Sequence, residues 1–299
     1  MPVVDALIPI FALIAIGYLL GWRRWLPTEA GTALAAITFK LFMPVLLFAG
    51  LARADLSEGL SPMLLVAYFV PALLVFILIN VVAHRSQGRP TSMGLAASYS
   101  NNVLVGIPLV SLLLGTDKLV YLFAVLVFHS LILFTLQSLY IALYSGQGER
   151  LSWRQTLSSL ANPIIVGLLL GATLNLSGLA LPAAAWRTVD WLAAASLPCA
   201  LLVLGMSLAH YRLYLSRAML SLTLAKLLAF PLLVIGFTSL LPLNPEARTV
   251  LVLMAACPTG VNVLAYAMGQ EDNRIISSVI FLSTLLAAFS MPLWLLLLS

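Results

Sequence analysis

Long apolar runs with few charged residues recur along the whole chain and leave few residues for loops. They lie at residues 5–22, 31–52, 62–83, 92–114, 118–144, 155–175, 182–208, 213–241, 248–269 and 275–298. Most are close to the roughly 20 residues that an α-helix needs to cross a bilayer. The runs are continuous, whereas the strands of a transmembrane barrel alternate apolar and polar residues. The pattern therefore predicts an all-α integral membrane protein with ten transmembrane helices.

Composition excludes several other classes of protein. Apolar residues make up 62% of the 299 residues and charged residues only 8%, whereas a soluble domain has roughly 25% charged residues. A soluble enzyme, a nucleic-acid-binding protein and a disulfide-rich secreted protein are therefore not expected. The lipid bilayer is the expected partner, and Cys199 and Cys257 are expected to pack as small buried apolar side chains.

The distribution of positive charge predicts the orientation in the membrane. Nine Lys and Arg residues lie in connections that follow odd-numbered runs, and four lie in connections that follow even-numbered runs. Lys and Arg concentrate in cytoplasmic loops of membrane proteins. Both termini are therefore predicted to face outward, and the connection at 146–154 is predicted to be cytoplasmic.

The second half of the chain weakly repeats the first. Pro9 and Gly17 are eight residues apart, as are Pro163 and Gly171, and the two pairs are separated by 154 residues. Pro44 and Pro198 have the same separation, and Asn-Val-Leu recurs at 102–104 and 262–264. Five spans per repeat is an odd number, so the second repeat would be inverted, as in many secondary transporters. The predicted repeats are residues 1–145 and 146–299.

Polar, Gly- and Pro-containing stretches interrupt the fourth and ninth runs. Residues 101–108 read Asn-Asn-Val-Leu-Val-Gly-Ile-Pro, and residues 257–262 read Cys-Pro-Thr-Gly-Val-Asn. Unwound backbone at membrane depth is tolerated where it is buried in protein or lines a wet cavity, and half-helix N-termini attract anions. These stretches are the predicted binding site. In the alternative interpretation they are two kinked helices whose polar side chains join neighbouring helices.

Both stretches resemble the fourth- and ninth-helix motifs of the auxin efflux carrier family. Asn162-Pro163, Leu197-Pro198 and Leu204-Gly205 also match that family, and the resemblance covers the whole chain. It implies a 5+5 inverted repeat in which the broken fourth and ninth helices cross near Pro108 and Pro258. It also implies elevator-like movement of a transport domain against a scaffold, and a homodimer.

Members of that family carry small organic anions such as auxin, malate or malonate. Carried over by motif, the substrate site would comprise Asn101, Asn102, Thr259, Asn262 and Asn162. Amide side chains both donate and accept hydrogen bonds, so they can orient a carboxylate without carrying charge. The short connection at 145–154 differs from the long loop of the plant carriers. It favours a prokaryotic organic-acid carrier in the bacterial inner membrane.

Three ionisable residues lie well within the runs: Lys40, Lys226 and His129. Such groups are candidates for a functional role in transport or coupling. Each lysine precedes a proline by four or five residues, so capping of carbonyls freed by the proline is the alternative role. A cationic interior favours an anionic substrate. The absence of a mid-span carboxylate argues against a proton relay built on Asp or Glu.

The sequence leaves the coupling ion open and predicts no cofactor. It contains no metal-ligand spacing and no motif for ATP binding or nucleophilic catalysis, so no enzyme is predicted. The first hypothesis is a secondary carrier of small organic anions, coupled to protons, to sodium or to neither. A sodium-coupled symporter of the bile-acid type is the alternative carrier, and a membrane enzyme or sensor is the alternative from another class.

Overall fold

The computed structural model describes residues 2–54, 61–144 and 163–298, with side chains described from Leu7 onward except that of Thr28. These residues form thirteen α-helices and no β-strand. The helices are α1 (Pro2–Trp22), α2 (Thr28–Ile37), α3 (Met43–Ala52), α4 (Pro62–Gln87), α5 (Met93–Ser98), α6 (Ile107–Leu114), α7 (Leu119–Tyr144), α8 (Pro163–Ser177), α9 (Ala183–Leu208), α10 (Arg217–Leu224), α11 (Phe230–Leu240), α12 (Pro245–Ala256) and α13 (Gln270–Leu298).

Six helical stretches are long and apolar enough to cross a membrane, which confirms the predicted all-helical membrane protein. They are Glu29–Ala52, Pro62–Gln87, Thr116–Tyr144, Ala183–Leu208, Arg217–Leu240 and Gln270–Leu298. Shorter apolar helices cover Leu7–Trp22, Asn102–Leu114 and Pro163–Ser177. The predicted boundary between repeats, at 145 and 146, lies outside the described residues, as does Asn162.

Three π-helical turns interrupt these stretches, and each ends two residues before a proline. The turns are Thr38–Phe42 before Pro44, Asn102–Gly106 before Pro108, and Ala225–Ala229 before Pro231. Proline cannot donate to the carbonyl four residues earlier and its ring clashes with that carbonyl. The carbonyl released by Pro231 belongs to Leu227, and it accepts a hydrogen bond from the Trp294 indole N–H at 3.0 Å. The widened turn is therefore stabilised by a neighbouring helix.

Local sequence explains several helix ends. Asn244 precedes α12, and its side-chain oxygen accepts from the Ala247 N–H at 2.7 Å, a typical N-terminal cap. Pro245 follows at the first helical position, where its missing N–H costs nothing. Gly88 ends α4 in the left-handed conformation, with φ of 67°, which glycine adopts without strain.

The helices form two packed groups. The first bundle contains α1, α2, α3, α8 and α9, and the second bundle contains α4 to α7 and α10 to α13. Within the first bundle, glycines bring helices together backbone to backbone: Gly17 of α1 lies on Leu202 of α9, and Gly171 of α8 lies on Phe48 of α3. The bundles meet where α1 contacts α6 and α13, and where α3 contacts α7.

Candidate functional site

Two helical stretches of the second bundle are broken in the middle. After α5 the backbone is extended at Tyr99, and the chain resumes in a π turn that leads into α6. After α12 the backbone is extended from Cys257 to Gly260, and a 3-10 turn over Val261–Tyr266 follows. Each break releases backbone groups that would otherwise be satisfied within a helix.

The two breaks bind each other. Ser100 and Thr259 form an antiparallel bridge. The Asn101 N–H donates to the Pro258 carbonyl at 2.8 Å, and the Gly260 N–H donates to the Tyr99 carbonyl at 3.1 Å. We call residues 99–101 and 258–260 the bridge region. A side chain at position 260 would lie 2.5 Å from the Tyr99 ring, so glycine is needed for this close approach.

Three of the sequence-predicted site residues meet in or beside the bridge region and are buried: Asn101, Asn102 and Thr259. The Thr259 hydroxyl donates to the Ala96 carbonyl in the last turn of α5 at 2.8 Å. The Asn101 side-chain oxygen accepts from the Leu104 N–H, and the Asn102 amide donates to the Tyr68 hydroxyl at 3.2 Å. Among the described residues, neither Asn101 Nδ2 nor Asn102 Oδ1 has a hydrogen-bond partner.

The two prolines of the motifs lie in different places relative to the bridge region. Pro258 belongs to it, but Pro108 lies seven residues after Asn101, in the first turn of α6. The first break therefore falls at Ser100 and Asn101, because a proline in the first turn needs no backbone donor and starts a helix rather than ending one. Asn262 is exposed on the 3-10 turn and neighbours the Tyr99 hydroxyl.

Lys226 lies against the bridge region, whereas Lys40 does not. The Lys226 side chain is completely buried. Its Nζ atom donates to Ser100 Oγ at 2.7 Å and to the Ala255 carbonyl at 2.6 Å. Ala255 is in the last turn of α12, where carbonyls lack helical partners, so the lysine caps the broken helix and not its own. Lys40 is exposed in the π turn between α2 and α3.

His129 belongs to a buried aromatic group beside the same region. Its Nε2 atom lies 3.2 Å from the Tyr68 hydroxyl, and its ring centroid lies 4.4 Å from that of Tyr99. The Tyr99 hydroxyl in turn forms a hydrogen bond with Ser130 Oγ at 2.8 Å. This arrangement joins α4 and α7 to the first break.

Sequence reasoning did not single out four residues that complete the site: Tyr68, Tyr99, Ser100 and Ser283. Ser283 Oγ accepts from the Thr259 N–H at 3.1 Å. Tyr99 and Ser100 stand inside the polar stretch of the fourth run, and their position beside two asparagines was the available signal. Tyr68 and Ser283 are single polar residues in other runs, and only the tertiary packing brings them here.

Two ion pairs join connections at opposite ends of the broken stretches. Arg89, before α5, lies 3.0 Å from buried Asp272 of α13. Lys118, after α6, lies 2.6 Å from Glu246 at the start of α12. Each pair therefore ties one end of the α5–α6 stretch to the sequence flanking the other broken stretch.

A cavity of about 620 Å³ opens between the α9–α10 connection and the first turns of α13. It has cationic and aromatic side chains and no acidic one; the lining residues are His210, Tyr211, Arg212, Leu213, Tyr214, Leu264, Asn273, Arg274 and Ser277. Leu264 belongs to the 3-10 turn that follows the bridge region. In the described parts of the chain, no three His, Cys, Asp or Glu side chains are placed to hold a metal ion.

Comparisons with known proteins give consistent results. The family model described as membrane transport protein matches residues 2–295. An uncharacterized transporter of Methanothermobacter thermautotrophicus is 27% identical over 301 aligned positions, covering 97% of this chain and 96% of the relative. A Rhizobium meliloti protein, whose name gives malonate transport as its proposed activity, is 27% identical over 295 positions. That alignment covers 94% of this chain and 91% of the relative.

Proposed function

Because the chain belongs to the membrane transport protein family, which is the family its motifs resemble, we propose that it carries small organic anions by a secondary transport mechanism. The protein is a membrane transporter. The substrate class, the arrangement of its spans and the path of the anion are the content of the proposal. The single observation that carries it is the buried bridge region: Lys226 lies against it, Asn101 and Asn102 have unpartnered amide atoms in and beside it, and no described carboxylate contacts it.

We propose ten membrane-spanning segments in two inverted repeats of five, residues 1–145 and 146–299. The glycine contacts of the first bundle support this arrangement. Gly17 and Gly171 are 154 residues apart, and so are the residues on which they lie, Leu202 and Phe48. Equivalent helices of the two repeats would then make equivalent contacts.

The two ion pairs support the same symmetry. The pair of Arg89 and Asp272 links the connection between spans three and four with that between nine and ten. The pair of Lys118 and Glu246 links the connection between spans four and five with that between eight and nine. Exchanging the repeats converts one pair into the other, with the signs of the charges reversed.

In this proposal the fourth span is α5, its π turn and α6, and the ninth is α12 with the 3-10 turn that follows. They cross at the bridge region, and the substrate contacts Asn101, Asn102 and neighbouring Thr259 and Asn262. The family motif adds Asn162, which lies outside the described residues. The unpartnered Asn101 Nδ2 atom is a buried donor. A buried donor without a partner is costly, and a carboxylate oxygen would satisfy it.

An anion is favoured over a cation because of Lys226. Its ammonium group lies against Ser100, the neighbour of Asn101, and forms no ion pair among the described residues. An interior positive charge of this kind attracts an anion and repels a cation. The Rhizobium meliloti relative named for malonate transport agrees with a carboxylic acid.

Alternating access would move the second bundle, which holds the bridge region, against the first. The helices of the first bundle pack backbone to backbone at glycines, without intervening side chains. This close packing favours the first bundle as the scaffold that stays fixed. The family resemblance further implies a homodimer. Together with the charge distribution it implies a bacterial inner membrane and outward-facing termini.

Flux into liposomes tests the proposal. Purified protein would be reconstituted and offered labelled malonate, malate and indole-3-acetate, with and without sodium and pH gradients, beside protein-free liposomes. We expect saturable flux of at least one of these carboxylates, and we expect the unlabelled compound to inhibit it by competition. Absence of protein-dependent flux for every anion and every gradient would refute an organic-anion carrier.

The same experiment separates the sodium-coupled alternative. A bound sodium ion would have to share the bridge region with the Lys226 ammonium group, which repels it. We therefore expect the flux to be the same in sodium and in choline buffers. A strict requirement for sodium would favour the bile-acid type of symporter instead.

A further inference from the structure

The ammonium group of Lys226 uses two of its three hydrogen-bond donors, and no described acidic residue forms an ion pair with it. Both acceptors, Ser100 Oγ and the Ala255 carbonyl, are neutral. The short donor–acceptor distances, 2.7 and 2.6 Å, are typical of charge-assisted bonds. The Phe230 ring, whose centroid lies 4.7 Å from Nζ, adds a favourable contact with a cation. Two oxygen acceptors and an aromatic face favour the protonated form of this lysine.

No other charge in the described part of the second bundle balances it. The polar groups around the bridge region come from α4, α7, α12 and α13, and they are hydroxyl, amide, thiol and imidazole groups. The described acidic residues of this bundle all pair with Arg89 or Lys118 at the ends of the broken stretches: Asp117, Glu246, Glu271 and Asp272. An isolated charge this deep is costly, and so calls for a function that needs it.

We propose that Lys226 is a permanent counter-charge that crosses the membrane together with the substrate. The net charge that the carrier moves is then the charge of its cargo plus one positive charge. This inference rests on the proposed function. The empty carrier then moves one positive charge across the membrane, and the carrier loaded with a monovalent anion moves none. A divalent anion leaves one negative charge on the loaded carrier.

The position of Lys226 is what makes the charges cancel. Ser100, its hydrogen-bond partner, directly precedes Asn101, the proposed substrate contact. The two charges therefore lie at nearly the same depth and cross the same part of the electric field, whichever way access alternates. A membrane potential would then act mainly on the return of the empty carrier, and would favour net anion movement away from the negative side.

The experiment compares exchange with net flux in liposomes whose potential is set by a potassium gradient and valinomycin. In wild-type protein, exchange of labelled for unlabelled indole-3-acetate should not depend on the potential, whereas its net efflux should. When one charge crosses the full membrane field and the energy barrier lies halfway across, the translocation rate changes by roughly sevenfold per 100 mV. Malonate exchange at neutral pH should show that single-charge dependence.

Lys226→Gln removes the counter-charge and should add one negative charge to both carrier states. Indole-3-acetate exchange should then acquire a dependence of roughly sevenfold per 100 mV, and malonate exchange should become steeper by the same factor. Lys226→Arg keeps the charge and should behave as the wild type. If Lys226→Gln does not fold, the wild-type comparison of the two anions still decides.

The outcomes distinguish the two proposals. Suppose that flux is present and that exchange of the monovalent anion depends on potential equally in the wild type and in Lys226→Gln. This result would overturn the counter-charge but not the organic-anion carrier. Absence of any anion flux would overturn the proposed function itself, and the counter-charge with it.

Discussion

The Nζ atom of Lys226 lies 2.7 Å from Ser100 Oγ, so a lysine from the second half of the chain holds the broken helix of the first half. The same ammonium group caps the Ala255 carbonyl at the broken end of α12. One side chain therefore satisfies polar groups at both breaks, which ties the stability of the site to its charge.

Ser100→Ala should destabilise the folded protein. It leaves the buried ammonium group with one of its two acceptors, and we expect the free energy of unfolding to fall by roughly 1–3 kcal/mol. Thermal unfolding in detergent measures the change. Ser177→Ala is the matched control, because Ser177 is exposed and bonds only within its local turn. Equal shifts for the two variants would contradict the role of Ser100.

Asn102→Ala should abolish most transport while the protein still folds. The Asn102 side chain makes one hydrogen bond, to Tyr68. Its unpartnered oxygen is an acceptor, so it can meet a hydroxyl or N–H group of the substrate but not a carboxylate oxygen. Loss of about one such interaction corresponds to a flux reduction of about tenfold. Flux per folded molecule is the measurement.

Asn175→Ala provides the control for that variant. Asn175 donates to carbonyls at the end of α3 in the first bundle, far from the bridge region in the fold. We expect it to lower thermal stability and to leave flux per folded molecule near the wild-type value. If Asn102→Ala transported normally, the bridge region would not be the substrate site.

Gly205→Ala should disrupt the first bundle. A Cβ atom at this position would overlap the Ile14 carbonyl and approach Gly17, and we expect a loss of roughly 1–3 kcal/mol from overpacking. Gly236→Ala is the control, because Gly236 lies in α11 with open space around it. There alanine should stabilise the helix by roughly 0.5–1 kcal/mol. Thermal unfolding of both variants should give shifts of opposite sign.

Arg274→Gln and Arg212→Gln should weaken anion capture by the cavity between the α9–α10 connection and α13. Neither arginine forms an ion pair among the described residues, so both charges are available to attract an anion. We expect each variant to raise KM about threefold, with little change in kcat, for substrate supplied from the side onto which the cavity opens. High salt should remove the difference, because it screens exposed charges.

Arg85→Gln is the control for the cavity. Arg85 is also exposed and lies near the end of α4, but it does not line the cavity. Its KM should match the wild type. A rise in KM equal to that of Arg274→Gln would attribute the effect to general surface charge and not to the cavity.

The sequence predicted the membrane class and the family because both depend on local patterns. Continuous apolar runs define a lipid-facing chain, and the motif residues from Asn101 to Pro108 and from Cys257 to Asn262 identify the family. The alternative role for Lys226 was capping of the carbonyls freed by Pro231, but the Leu227 carbonyl accepts from Trp294 instead. The carbonyl that Lys226 caps belongs to Ala255 of another helix, and only the packing of α12 against the π turn reveals this.

Other features required the tertiary structure. The family resemblance implied a crossing near Pro108. The described bridge between the two breaks is made by Ser100, and Pro108 lies in the first turn of α6, where a proline starts a helix. Lys40 and Lys226 have similar spacing to a following proline, yet one is exposed and the other is buried. Spacing within one helix does not specify which face a neighbouring helix covers.

The two ion pairs at the ends of the broken stretches have a consequence for a protein that separates two solutions. Arg89 precedes α5 and pairs with Asp272 of α13, and Lys118 follows α6 and pairs with Glu246 of α12. In the proposed arrangement of spans, the two pairs would face opposite sides of the membrane. A rise in ionic strength would screen the pair of Lys118 with exposed Glu246 more than the pair of Arg89 with buried Asp272, because mobile ions screen exposed charges far more than buried ones. A carrier with this arrangement would therefore respond differently to the ionic strength on the two sides of its membrane.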